Sequence, residues 1–167
     1  MALTNEFVLE KIRTRFPEAV LQVDEPHGLL TLEVTPEINV ELLQFVKEDK
    51  DLQMAFLTDI CGIHYPDQVN RELGVIYHVH SLIHNHRLRF KCFLPAQDPK
   101  IRTAVGVFAG ANWMERETFD FFGIQFAGHP NLIRILNMED MTYHPLLKQY
   151  PLEDPTREDK NDTYFGR

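Results

Sequence analysis

Apolar positions along the chain follow two periods. Val8, Ile12 and Phe16 recur every four residues, which predicts a helix with one buried stripe. "AVLQVDEPHGLLTLEV" predicts a hairpin. Pro26-His27-Gly28 supplies the turn, and Leu30, Leu32 and Val34 alternate with Thr31 and Glu33. The helical period returns in "TPEINVELLQFVKEDK", where Thr35 reads as the N-cap, Pro36 as the first helical residue and Glu37 as a first-turn acid. Ile38, Leu42, Phe45 and Val46 form its expected inward face.

Three strands follow. "MAFLTDICGIHY" is apolar on both faces, as expected of a central strand. "LGVIYHVHSLI" and "HRLRFKCFLP" predict a hairpin turning near Asn85. In its second arm Leu88, Phe90, Cys92 and Leu94 point one way and Arg87, Arg89 and Lys91 the other. The order α-β-β-α-β-β-β predicts an α+β fold, a two-layer domain with helices on a mixed sheet.

Past Pro99 the pattern changes. "IRTAVGVFAGA" is small and apolar. A short helix over 112–122 follows, with Asn112 as N-cap, Glu115 as its capping-box partner and Gly123 as the C′ residue. Met114, Thr118, Phe121 and Phe122 share one side of this helix; Arg116, Glu117 and Asp120 share another, next to Trp113. From Gly128 onward, His129-Pro130, His144-Pro145, Pro151 and Pro155 preclude long regular structure. The expected division is an α/β domain over 1–127 and an extended, proline-interrupted arm over 128–167. The arm's charged end, "EDPTREDKNDTYFGR", suits a segment that gains order on a partner.

Composition narrows the function classes. A chain of 167 residues, 44% hydrophobic, supports one core. A net charge of −8 gives nucleic-acid binding no global electrostatic support. Cys61 and Cys92 lie far apart with no CxxC, which argues against a disulfide framework, a zinc ribbon or an iron–sulfur cluster held by this chain alone. The N-terminus carries charges throughout with no signal-like apolar run, and no stretch approaches the ~18–20 apolar residues of a membrane span.

Candidate chemistry is sparse. His78 and His80 share a strand face, with His84 and His86 at the hairpin end, and two imidazoles at i and i+2 can share a metal. No carboxylate or thiolate stands at ligand spacing beside them in sequence, so they read as hairpin residues. Glu117 and Asp120 form an i, i+3 carboxylate pair, with Arg116 four residues from Asp120 and placed to neutralise it. That reads as a structural or interface cluster rather than an acid–base pair. There is no GxSxG, GxGxxG or P-loop lysine. The physics of the sequence favours a binding or scaffold subunit.

A longer pattern adds to this. Glu115-Arg116-Glu117, Asp120-Phe121-Phe122-Gly123, Gly128-His129-Pro130 and Arg134-Ile135-Leu136, followed by "HPLLKQYPLED" from His144, resemble the signature of the 30-kilodalton subunit family of respiratory complex I, the C component of the bacterial enzyme. Ile133 stands where many members have a second basic residue, and Leu147 where an Arg commonly precedes the Lys. The resemblance implies a protein without flavin (FMN), iron–sulfur cluster, nicotinamide or metal of its own, those cofactors and the quinone belonging to partners in the complex. It implies packing chiefly against the quinone-site subunit, the D component, and also near the B and I components and the NADH-input module. The location implied is the cytoplasmic side of a bacterial membrane, held through the complex. The residues it marks for a partner interface are Trp113, Glu115, Arg116, Glu117, Asp120, His129, Arg134, His144, Lys148 and Tyr150. Two alternatives stay open: the homologous subunit of a complex-I-like membrane hydrogenase, and a stand-alone metal-dependent hydrolase using His78, His80 and a carboxylate.

Overall fold

The computed structural model describes residues 3–151; the expectations for the charged end of the arm lie outside the described residues. Helix α1 (Asn5–Arg15) leads into the hairpin β1 (Val20–Asp24) and β2 (Leu30–Val34). Helix α2 (Asn39–Glu48) and strands β3 (Phe56–His64), β4 (Leu73–Ser81) and β5 (His86–Leu94) complete the predicted order. The five strands form one sheet in the order β1-β2-β5-β4-β3, and β2 runs parallel to β5 while every other pair is antiparallel. The fold is α+β with a mixed sheet, as expected.

Alternation in β4 and β5 sends one set of side chains into the core. Leu73, Val75, Tyr77 and Val79 pair across the ladder with Leu94, Cys92, Phe90 and Leu88, and all are buried. Val8 and Ile12 of α1, and Leu42, Leu43 and Val46 of α2, close over them in one cluster. Each such side chain contributes about 1.5–3 kcal/mol relative to exposure. Arg87, Arg89 and Lys91 point to the opposite face.

Two expectations change here. β3 is an edge strand: β4 pairs with it on one side only. Its second apolar face comes from Ile63 lying over Gly74, where an added Cβ would stand 2.9 Å from Ile63 Cγ1. The helix expected from Pro36 begins instead with a single 3-10 turn, Pro36–Ile38, and Thr35 makes no side-chain cap. The Thr35 N–H extends the hairpin to Ala19 O (3.1 Å), and buried Asn39 opens α2 by donating to the Tyr77 hydroxyl and to Arg102 O (2.7 Å).

The last unit is a crossover. Strand β6 (Lys100–Arg102) and strand β7 (Gln125–Ala127) pair in parallel around helix α3 (Ala111–Phe122). α3 lies on the β3 end of the helical layer. It approaches so closely at Gly62 that an added Cβ would sit 2.4 Å from the Phe122 ring.

Candidate functional site

The signature segment is α3 and the chain that folds back on it. α3 opens at Ala111 with Gly110 in the cap position, so Asn112 is inside the helix and does not cap it. Glu115 therefore makes no capping box. Its side chain is fully buried and accepts from the Ala104 N–H (2.6 Å) and the Thr103 hydroxyl (2.5 Å), stapling the loop between β6 and α3. Burial pushes the Glu115 carboxyl up to about 7, against the pull of those two donors. The helix ends as expected at Gly123, whose φ of +78° suits a residue without a Cβ; the His144 ring occupies the space a side chain would need.

Asp120 is also fully buried, so it does not share an exposed face with Glu117. Its partner is not Arg116. Asp120 Oδ1 accepts from Arg134 Nη1 (2.6 Å) and Asn137 Nδ2 (3.0 Å), and Oδ2 accepts from the backbone N–H groups of Ile135, Leu136 and Asn137 at 2.9–3.1 Å. Burial alone would raise this carboxyl. The backbone and side-chain donors at Asn137, Leu136 and Arg134 outweigh it and hold it well below the usual carboxylate range. Arg134 also donates to the carbonyls of Asp120, Met141 and Tyr143. Arg116 lies over the Trp113 ring and donates to Ile133 O and Arg134 O at 3.1 and 3.0 Å.

The two motif histidines act in the same way. His129 donates from Nε2 to Asn112 O (3.1 Å) and accepts the Asn131 N–H at Nδ1 (3.0 Å). His144 donates from Nδ1 to Asp120 O (2.9 Å). Farther along, the Lys148 N–H donates to His64 Nδ1 (2.9 Å), Leu147 packs on the core, and Tyr150 packs on Tyr143. Burial, then the Lys148 charge, lower the His64 pKa, which favours the form that accepts at Nδ1.

Six of the ten residues marked in sequence, Glu115, Arg116, Asp120, His129, Arg134 and His144, thus hold the chain's own backbone. Trp113 and Glu117 are left on the outer side of α3. Sequence reasoning missed most of what this scaffold presents: Ile133, Leu136, Met138 and Tyr143 remain exposed, with Leu146, on a loop that carries no helix or strand. The only sequence signal was the run of apolar side chains in a segment without periodicity.

The second candidate is the histidine cluster. A carboxylate and a thiolate do lie beside His78: Asp59, Cys61 and His78 offer ligand atoms within 4.8 Å of one another, which corrects the expectation from linear spacing. Antiparallel register places Asp59 opposite His78, an adjacency the sequence does not display. The surroundings do not suit a cation. Arg89 Nε donates to His78 Nε2 (2.8 Å), so the ring proton sits on Nδ1, 3.9 Å from Asp59. A metal at Nδ1 would force that proton to Nε2, against the guanidinium. Burial, then the Asp59 charge, push the Cys61 thiol up to about 11. His80 Nε2 instead faces Asn85 Oδ1 (3.3 Å).

The fold, an α+β sheet domain closed by a β-α-β crossover, recurs in solved structures. A solved trypsin-resistant fragment of Nqo5 shares it with a TM-score of 0.64 and 30% identity, covering 76% of this chain and 98% of that one. A chain of the membrane-bound sulfane sulfur reductase, an archaeal respiratory membrane complex, shares the fold at 20% identity with a TM-score of 0.73, covering 88% of this chain and 85% of that one. The family model for the respiratory-chain NADH dehydrogenase 30 Kd subunit matches residues 32–156. The C component of NADH-quinone oxidoreductase from Roseiflexus sp. (strain RS-1) is 41% identical over 152 residues, 91% of this chain and 87% of that protein. Its counterpart from Citrifermentans bemidjiense is 40% identical over 167 residues, 100% of this chain and 99% of its own. The chain belongs to this family, the 30-kilodalton or C component of NADH-quinone oxidoreductase, respiratory complex I.

Proposed function

We propose that this protein is a docking and shaping element of the peripheral arm of complex I, with no active site of its own, and that its pinned loop packs against the quinone-site subunit, the D component. The observation that carries this reading is the disposition of the loop. Asp120 and Arg134 fix its backbone from within and Leu132 and Leu147 pack on the core, while Ile133, Leu136, Met138, Tyr143 and Leu146 remain outside. Loops left to themselves bury such side chains or lose order; a rigid loop presenting them matches an interface core that avoids ordering entropy on binding. NADH oxidation, the FMN and iron–sulfur clusters, and quinone reduction belong on this reading to partners in the complex. The chain contributes to electron transfer only through the assembly. No helix among the described residues is long and apolar enough to cross a membrane. On this reading the chain is held at the cytoplasmic side of the bacterial membrane by its partners, chiefly the quinone-site subunit, with the B and I components and the NADH-input module nearby.

The test is the set of polypeptides that co-purify with a tagged full chain from membranes solubilised in mild detergent. The quinone-site subunit and the NADH-input proteins are expected. Recovery with a nickel–iron hydrogenase subunit instead would assign the chain to the related hydrogenase complex.

A further inference from the structure

The end of the sheet far from the pinned arm carries its own binding features. Strand β2 starts beside β5, so the β1–β2 turn and the β4–β5 turn emerge together, opposite the end where Lys148 meets His64. Between them lies a cleft of about 610 Å³ lined by His27, His86, Arg87 and Arg89 together with Asn5 and Asn85. Among the described residues no carboxylate lines it, on a chain with 25 acids and 17 Lys and Arg. Arg87 is exposed and makes no salt bridge among the described residues. Arg89 is anchored through Nε on His78, which leaves its two Nη groups for another acceptor. His86 Nε2 is buried without a hydrogen-bond partner. Glu25, in the neighbouring turn, is already bonded to Asn5.

The β4–β5 turn adds a second property. Leu82 and Ile83 are 66% and 74% exposed, and Phe56, opposite His80 at the start of β3, is 47% exposed. Cationic donors beside uncovered apolar side chains fit a protein segment better than a free small anion, which would leave the apolar residues in water. We propose that this end of the sheet is a second docking surface. It takes an acidic, apolar-flanked segment of another protein, with an Asp or Glu seated between Arg87 and Arg89 and its apolar neighbour on Leu82 and Ile83. A bidentate guanidinium–carboxylate contact fixes register, and the apolar contact supplies affinity. The protein is then a bridge with two faces, which goes beyond the docking reading of the pinned loop.

The test uses the assembled complex. A photo-crosslinking amino acid is placed at Ile83 in one full-length variant and at Leu136 in another, and the cross-linked peptides are sequenced. The Ile83 probe is expected to capture a peptide holding an Asp or Glu beside an apolar residue. Arg87→Glu should lower that yield about tenfold, equivalent to about 1.4 kcal/mol, and reversing the captured acid to Lys should restore it. Arg87 is exposed, so the thermal midpoint of the free Arg87→Glu chain checks that folding is intact. No adduct at Ile83, an adduct to a second copy of this chain, or one indifferent to Arg87→Glu would overturn the proposal. The Leu136 adduct reports separately on the pinned loop, so failure of one reading is distinguishable from failure of the other.

Discussion

Asp120 and Arg134 meet at 2.6 Å across a 14-residue separation, with the carboxylate fully buried and the guanidinium nearly so. This pair turns a proline-interrupted segment without helix or strand into a fixed surface. The same carboxylate also accepts from three successive backbone N–H groups, so losing Asp120 removes the shared acceptor of all three at once.

Asp120→Ala is therefore expected to damage the fold itself. Breaking one member of a buried pair costs about 3–5 kcal/mol, and denaturant unfolding of the free chain should show a loss of that size. Arg116→Ala removes two backbone contacts near the surface and should cost about 1–2 kcal/mol. Sequence spacing grouped Arg116 with Asp120 in one structural or interface cluster and gave no reason to expect a difference between the two substitutions. Equal, small losses for the two would mean that Asp120 is not the anchor of the loop.

Glu115 gives folding a pH dependence of definite sign. Its carboxyl holds a proton up to about 7 in the folded chain, against an ordinary 4.5. Between those values the folded state binds more protons than the unfolded, so stability falls as pH rises. The contribution is fully present below pH 4.5 and gone above about 7. Glu115→Gln keeps an acceptor for Ala104 and cannot ionise. Urea midpoints from pH 4.5 to 8 should show the wild type losing ground to the variant across that window and holding a constant difference above it. A difference that does not change with pH would contradict the assignment.

At Gly62 helix α3 comes so near β3 that an added Cβ would stand 2.4 Å from the Phe122 ring. Gly62→Ala places a methyl group against the Phe122 ring and should cost about 1–3 kcal/mol. Phe122→Leu in the same chain should recover part of that loss, because the two positions share one space. Additive losses in the double variant, measured by thermal unfolding, would mean that the contact is slack.

Much of the fold was legible because it rests on local period and turn chemistry. The alternation in β4 and β5, the turn at Asn85, the Pro26-His27-Gly28 turn and the Gly123 helix end are all set by neighbours in sequence. What stayed hidden depends on register and topology. Whether β3 is central or an edge depends on which strands pair with it, not on its own residues. Asp120 chose Arg134 over Arg116 because the loop returns across α3, and a helical i, i+4 rule cannot see that return. Glu115 was read from its spacing as the capping-box partner of Asn112, yet its carboxyl binds the loop after β6 instead. The Asp59–Cys61–His78 adjacency exists only across a strand pair.

Docking through the pinned loop stands or falls on a double variant, Leu136→Ser with Met138→Ser. Both side chains are exposed, at 64% and 68%. The free variant should keep its unfolding free energy within about 0.5 kcal/mol per substitution of the wild type. In cells the same chain should be lost from the detergent-solubilised NADH-quinone oxidoreductase on native gels, with retention down about tenfold or more, as removal of interface anchors worth about 2 kcal/mol or more requires. Wild-type retention of a normally folded variant would refute docking through this loop.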